Sequence, residues 1–368
     1  MNQEKGLLAL IKKLFRREHQ LKNKVLVAVL VLVLGVSMII MGCGQGNGVQ
    51  ENGVQGNGPA GGKLIFKFAH HWAPQSVSGR GFQYFADAVK EKSDGQIEIE
   101  VYPADSLVAG AEMYEAMLDD VVDIGYVTTS QISPRISELN IMEIPGIYDS
   151  SGGDFDYFAY AAEVKPYLDK IYEKHGLKFL YEIDQGDMVV CSTQPLQKIS
   201  DFKGKRIRDY GVWAGRALET LDVAPMTIPP GDCALSLERN VVDGAFGTWG
   251  FCDGFKLYEL APHITWMNLG GISAHVFLKQ ETWEALTPEQ QQILHEAASE
   301  AMQKHSEYLA ETELSFIETS EAEGATHYQI TDEMRSEMLE RFDTVFEQTR
   351  DVIGPLGEEL LDKLLSMR

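Results

Sequence analysis

Residues 63–101 read KLIFKFAHHWAPQSVSGRGFQYFADAVKEKSDGQIEIEV, and the period of the apolar residues changes twice within them. Leu64, Phe66 and Phe68 alternate with Ile65 and Lys67, which suits a strand. Phe82, Phe85, Ala86 and Val89 then fall at helical spacing, and Ile97, Ile99 and Val101 alternate again. The stretch is therefore a strand, a helix and a second strand.

Working outward, Ala111 to Asp119 reads as a helix with Met113, Ala116 and Met117 inward, and Val121 to Val127 as an apolar strand. A β-α-β-α-β order predicts a parallel sheet. After a Pro/Gly-bearing stretch, Phe155 to His175 reads as a helix and Leu177 to Ile183 as a strand. A second alternating run begins near Met188: strand ending at Lys205 to Arg208, helix Val212 to Leu221, strand Ala224 to Ile228, helix Asp232 to Arg239, strand Val241 to Thr248. Two α/β units follow from this pattern. Thr287-Pro288-Glu289-Gln290 combines an N-cap Thr, Pro at the first helical position and a capping-box Gln. No Pro or Gly interrupts until Gly324, so this helix can run some 35 residues, or about 50 Å, long enough to lie across both units. Thr331 to Ile353 and Leu356 to Met367 close the chain as acidic amphipathic helices.

The chain has 368 residues, of which 44% are hydrophobic and 24% charged, the composition of a folded protein of about two domains. Its net charge is -23, and beyond residue 24 it holds 25 basic against 53 acidic residues. Such a body repels phosphate backbones, which argues against nucleic-acid binding.

Residues 1–24 hold seven Lys/Arg against Glu4 and Glu18, and the apolar run Val25 to Met41 follows. Basic region and apolar region have the order of an export signal, although the run also reaches the lower length of a spanning anchor. Either reading puts the body outside the cytoplasm. Ile40-Met41-Gly42-Cys43 resembles the bacterial lipobox, with Met41 a departure from its usual small residue. That resemblance implies cleavage after residue 42, a diacylated Cys43 and a membrane anchor. Residues 44–62, GQGNGVQENGVQGNGPAGG, have almost nothing to bury and read as a flexible tether.

Taken with the lipobox, the phrases FAHHWAPQSVSGRGFQYFADAVKEKSDGQIEIEVYPADSL, ISDFKGKRIRDYG, LERNVVDG and LTPEQQQILHEAASEA resemble the substrate-binding proteins of tripartite ATP-independent periplasmic (TRAP) transporters, the C4-dicarboxylate-type solute receptors. The resemblance runs from about Leu64 to Leu365. It implies an α/β fold of the periplasmic-binding-protein-like II type: two α/β domains, hinge strands and a long shared C-terminal helix. One domain would take residues 63–184 with about 275–305, the other 185–274 with about 306–368. It implies further a receptor with no chemistry and no cofactor of its own. Such a receptor closes on a small-molecule carboxylate and passes it to small and large TRAP membrane subunits. A lipoprotein that presents its ligand to a sensor or to another uptake system would use the same pocket.

Arg208 ends DFKGKRIR, where the resembled family carries the arginine that grips the ligand carboxylate. A guanidinium matches a carboxylate with a fork of donors, which Lys cannot do. Arg206, two residues earlier, reads as surface. His70, His71 and Trp72 fall where the family places a pocket-lining loop; the histidine pair also raises metal binding and pH dependence, but no third ligand has a recognisable spacing. Thr128 and Thr129 end a strand at the carboxyl edge of a sheet, where ligands sit in open α/β folds. Trp249, Phe251 and Trp213 are expected as aromatic walls from the second domain.

Two departures from the family pattern bear on the ligand. Gly247 stands where many members have asparagine, and Asp187 lies close to where sialic-acid-type members carry a second arginine. An acidic group there disfavours a second ligand carboxylate and favours a monocarboxylate or a zwitterion, unless Asp187 is simply solvated at a turn. Cys191, Cys233 and Cys252 are expected to stay unpaired. GxSxG and HExxH are absent and no GxGxxG follows the first strand, which argues against a hydrolase or a dinucleotide enzyme.

Overall fold

The structure, a computed structural model, describes residues 62–148 and 156–368. The export signal, Cys43 and nearly all of the tether lie outside the described residues.

The first sheet has the order β2-β1-β3-β10-β4. β1 (Leu64–Ala69), β2 (Ile97–Tyr102) and β3 (Ile124–Thr128) are parallel, as the alternation around α1 (Val77–Lys92) and α2 (Met113–Leu118) predicts. β10 (Ala274–Lys279) runs antiparallel to both β3 and β4 (Leu177–Ile183). The second sheet has the order β11-β9-β5-β8-β6-β7. There β6 (Arg206–Asp209) lies parallel to β7 (Ala224–Thr227) and β8 (Gly244–Thr248), while β5 (Met188–Ser192) is antiparallel to β8 and to β9 (His263–Trp266). Each sheet is thus mixed, where the sequence pattern predicts parallel strands. In each, the antiparallel member bordering the parallel set, β10 or β5, is the strand that arrives from the other sheet.

Two short segments, residues 184–187 and 267–273, carry the chain directly from a strand of one sheet to a strand of the other. They run side by side: Met188 donates its N–H to the Gly270 carbonyl at 3.0 Å, and Met267 donates to the Met188 carbonyl at 2.9 Å. Gly186 sits there with φ +80°, and a Cβ on it would lie 2.2 Å from Nε1 of Trp249. Glycine is required at this position on both counts.

The two parallel units are built from one local pattern. Val121-Val122-Asp123 precedes β3 and Val241-Val242-Asp243 precedes β8. Asp123 accepts the Lys67 N–H at 2.7 Å and Asp243 accepts the Arg206 N–H at 2.9 Å, each fixing the start of its strand against its neighbour. The residue before each Val-Val pair, Asp120 or Asn240, takes the left-handed conformation, with φ 58° and 54°, which Asp and Asn tolerate best among non-glycine residues. Each strand ends in a threonine, Thr128 or Thr248, that opens a short helix, α3 (Thr129–Ile132) or α7 (Trp249–Gly254).

The remaining helices tie the sheets together. α4 (Tyr157–Lys174) precedes β4, and α5 (Val212–Glu219) and α6 (Cys233–Glu238) belong to the second unit. α8 (Pro288–Ala322) begins at the expected capping box, Thr287 with Gln290. Its buried Leu294, Ala297, Ala298 and Ala301 join one hydrophobic core and its Leu309 and Phe316 the other, so a single helix braces both. It leads into β11 (Thr326–Gln329). α9 (Asp332–Ser366) is broken at Gly354-Pro355, as the two closing segments predict, and packs against α4 and α5. Among the described residues no helix is long and apolar enough to cross a membrane.

The cysteines correct the expectation that they stay unpaired. Cys191 of β5 is bonded to Cys252 of α7, and Cys233 is the buried free thiol. β5 pairs with β8, and α7 follows β8 directly, so the two sulfurs meet in one core although the residues are 61 apart in sequence.

Candidate ligand-binding cavity

Between the two sheets lies a cavity of about 480 Å³. One wall comes from the loop after β1 and from the end of β3 with α3: His71, Trp72, Thr128, Ser130, Gln131 and Arg135. The other comes from the ends of β6, β7 and β8 with α7: Arg208, Tyr210, Thr227, Pro229, Phe251 and Phe255. Gln185 and Ile272, one from each crossing segment, join them at the floor.

Arg208 is the strongest electrostatic feature. Its side chain is held in place by the protein: Nε donates to the Ile228 carbonyl at 2.9 Å and Nη1 to the Phe246 carbonyl at 3.0 Å. The Phe251 ring lies under the guanidinium, 4.5 Å from ring centre to Cζ. The residue is 4% exposed, and among the described residues no carboxylate pairs with it. Neighbouring Asp209 is taken up by the Thr227 hydroxyl at 2.7 Å and the Gly211 N–H at 3.1 Å. Burial accordingly lowers the Arg208 pKa. Arg206, two residues nearer the start of the strand, pairs with Asp243 at 2.7 Å near the surface, as its reading as surface implies.

Gly247 has a local reason. A Cβ there would lie 2.7 Å from the Phe251 ring, so the glycine lets that ring pack back over the strand and beneath Arg208.

The structure brings together Arg208, His71, Trp72, Thr128 and Phe251 of the expected site residues. The other five do not line the cavity, and each has a physical reason. His70 is 1% exposed and packs on the rings of Phe68 and Phe82, because the strand parity that buries Phe66 and Phe68 buries it as well. Thr129 turns its hydroxyl to the Met142 carbonyl. Trp249 is fully buried behind α7, stacked on Phe316 at 5.8 Å. Trp213 lies in the core with its backbone N–H on Glu143 and the Arg216 guanidinium over its ring. Asp187 serves the backbone, its carbonyl accepting the Trp249 N–H at 3.1 Å and its carboxylate the Met188 N–H at 2.9 Å. It is not part of the cavity lining. The cavity lining instead holds a second cation, Arg135, paired with Glu115.

The histidines do not supply pH dependence near neutrality. Burial lowers His71 to about 4, and burial followed by the neighbouring His71 lowers His70 to about 3. A group that does titrate there is Glu143, which sequence reasoning did not single out. Burial pushes its carboxyl up to about 7, against the bonds from the Ser133 hydroxyl and the Trp213 N–H. A carboxyl raised in the folded state binds its proton more tightly than in the unfolded chain. Its contribution is full below the ordinary carboxyl range and is lost as pH rises through about 7. Asp184, raised to about 6 by burial, acts in the same sense. Glu143→Gln is therefore expected to raise the melting temperature at pH 8 and to flatten its fall between about pH 4.5 and 7. Melting curves of both proteins across this range check it, and parallel curves would contradict it.

Gln185, Tyr210 and Arg135 were also missed. Tyr210 lies two residues beyond Arg208 and turns its hydroxyl to the Glu143 carbonyl at 2.8 Å. Gln185 belongs to a crossing segment, whose place at the floor is visible only once the two sheets are assembled.

The family described as bacterial extracellular solute-binding protein, family 7, matches residues 68–351. The C4-dicarboxylate-binding protein DctB of Bacillus subtilis is 28% identical over 316 residues, covering 83% of this chain and 87% of that protein. The ectoine-binding periplasmic protein TeaA of Halomonas elongata is 24% identical, covering 81% and 88%. Among solved structures, the periplasmic ectoine-binding protein of the Halomonas elongata TeaABC TRAP transporter superposes with TM-score 0.76 at 23% identity, over 82% of this chain and 98% of that one. A TRAP periplasmic solute-binding protein of Sulfurospirillum deleyianum with bound succinate gives TM-score 0.72 at 20% identity, over 83% and 100%.

Proposed function

The chain belongs to family 7 of the bacterial extracellular solute-binding proteins, and from that premise we propose that it is the receptor of a TRAP transporter that captures an organic carboxylate on Arg208. It works with small and large membrane subunits and carries out no reaction itself. The observation that supports this reading is a buried, fixed guanidinium without a carboxylate partner among the described residues, lining a cavity between two sheets. Burying a charge is costly unless an opposite charge meets it. The ligand is the group that removes this cost.

The aromatic and apolar surfaces of Trp72, Phe251, Phe255, Ile272 and Pro229 enclose the rest of the ligand. His71 and Thr128 complete the wall. The relatives named for C4-dicarboxylates and ectoine both take molecules bearing a carboxylate. Arg135 at the same cavity makes a second carboxylate acceptable here. Closure about the crossing segments would bring the two walls onto the ligand. Small-angle scattering checks this: a saturating carboxylate ligand is expected to lower the radius of gyration, and an unchanged value would exclude hinge closure.

Cys43 is the lipid anchor in this account, holding the receptor at the outer face of the membrane through residues 44–62. Cells fed labelled palmitate are expected to label the wild-type chain and not Cys43→Ala, and labelling of both would rule the anchor out.

A further inference from the structure

Three side chains at the cavity floor form a chain whose direction can be read from donor chemistry alone. Trp72 Nε1 lies 3.0 Å from the Tyr126 hydroxyl oxygen, and the Gln185 carboxamide nitrogen lies 2.8 Å from the same oxygen. Tyr126 is fully buried and Gln185 is 6% exposed, with its remaining surface on the cavity. An indole nitrogen can only donate, so the Tyr126 oxygen accepts from Trp72. If the Gln185 nitrogen donated to it as well, the hydroxyl proton would be left buried with no acceptor among the described residues.

A half-turn of the carboxamide about its last bond leaves the heavy-atom positions in place and exchanges its oxygen and nitrogen. The chain then runs from the Trp72 N–H to the Tyr126 hydroxyl to the Gln185 carbonyl, and each buried polar group is satisfied. The amide NH2 group turns into the cavity.

Arg208 spends its Nε–H and one Nη1 hydrogen on the backbone, which leaves a free fork on Nη1 and Nη2. Such a fork engages both oxygens of one carboxylate. The Gln185 NH2 is then available to a different atom of the ligand. We propose that Gln185 is a specificity residue, set by Trp72 and Tyr126 to donate to a second, neutral oxygen of the ligand, so that the receptor prefers oxo and hydroxy acids to their unsubstituted parents. An ammonium at that point would set donor against donor. This deepens the carboxylate reading and rests on it.

The test is calorimetric titration of the full protein with two matched series. One is glutarate, 2-oxoglutarate, 2-hydroxyglutarate and glutamate; the other is 3-phenylpropionate, phenylpyruvate, phenyllactate and phenylalanine. In the series that binds, the oxo and hydroxy acids are expected to bind about tenfold tighter than the parent, because the parent leaves the buried amide unpaired, and the amino acid weakest. Gln185→Met should bring the oxo acid down to the parent's affinity, and Tyr126→Phe, which frees the carboxamide to rotate, should narrow the gap. The side-chain NH2 signals of Gln185 in a nitrogen-15 correlation spectrum should move with the oxo acid and stay with the parent, a readout that does not depend on either variant folding. Equal affinity for parent and oxo acid, a preference for the amino acid, or unmoved amide signals would overturn the role of Gln185 while leaving Arg208 in place. Failure of every member of both series to bind would overturn the carboxylate reading and this proposal with it.

Discussion

Arg208→Met is expected to weaken binding of the carboxylate ligand by roughly 10- to 150-fold while leaving a folded protein. The factor corresponds to about 1.5 to 3 kcal/mol for a hydrogen bond to a charged group. The site is built around this cation: the Ile228 and Phe246 carbonyls and the Phe251 ring fix its position, and none of them neutralises it. Methionine keeps the apolar stem and removes the charge. The fold should tolerate this, because a buried cation without a carboxylate partner carries a desolvation cost that its removal relieves. That gain offsets the loss of two hydrogen bonds to backbone. Arg208→Lys should fare little better than methionine, since an ammonium cannot reproduce the planar fork. Titration calorimetry on the three proteins, with melting temperatures of the unliganded forms, checks both halves. A methionine variant that binds as the wild type does would remove Arg208 from the site.

Opening the Cys191–Cys252 bond is the second large effect. It closes a loop spanning 61 residues, and the chain-entropy relation gives about 4 kcal/mol for a loop of that length. The bond also has a place in the site, for Cys252 is adjacent to Phe251 in α7 while Cys191 lies in β5, just beyond the crossing segment that carries Gln185. Reduction, or Cys252→Ala, is therefore expected to lower stability by that order and to weaken ligand binding as well, because α7 is no longer tied to the strand beside the hinge. Denaturant melts with and without reductant measure the first effect and titration the second. Unchanged midpoints after verified reduction would contradict this assignment.

Much of the fold was legible because the two parallel units follow short-range rules. The alternation of Leu64, Phe66 and Phe68, the helical spacing from Phe82 to Val89 and the capping box at Thr287 each specify a local structure that the structure contains. The antiparallel strands were not legible, since β5 and β10 acquire their direction from the route of the chain between sheets. The pairing of Cys191 with Cys252 was hidden for the same reason.

The site divided along similar lines. Arg206 and Arg208 are two residues apart on one strand and share a face, so parity does not separate the surface residue from the buried one, and the resemblance supplied which was which. Trp249 and Phe251 could not be separated this way. Both follow the same strand within three residues of Thr248, and only the direction of α7 sends Trp249 to Phe316 and Phe251 beneath Arg208. Asp187 and Gln185 show the same limit at the floor. Two residues apart on a crossing segment, one serves the backbone and the other faces the cavity.

The account stands or falls on whether the ligand is recognised by its negative charge at Arg208. The most direct measurement is a thermal-shift comparison of carboxylates with their carboxamides, matched in shape, on the wild type and on Arg208→Met, since a ligand that binds only the folded state raises the melting temperature. A shift is predicted for a carboxylate, absent for its amide and absent in the variant. Equal shifts for acid and amide, persisting without Arg208, would contradict the account.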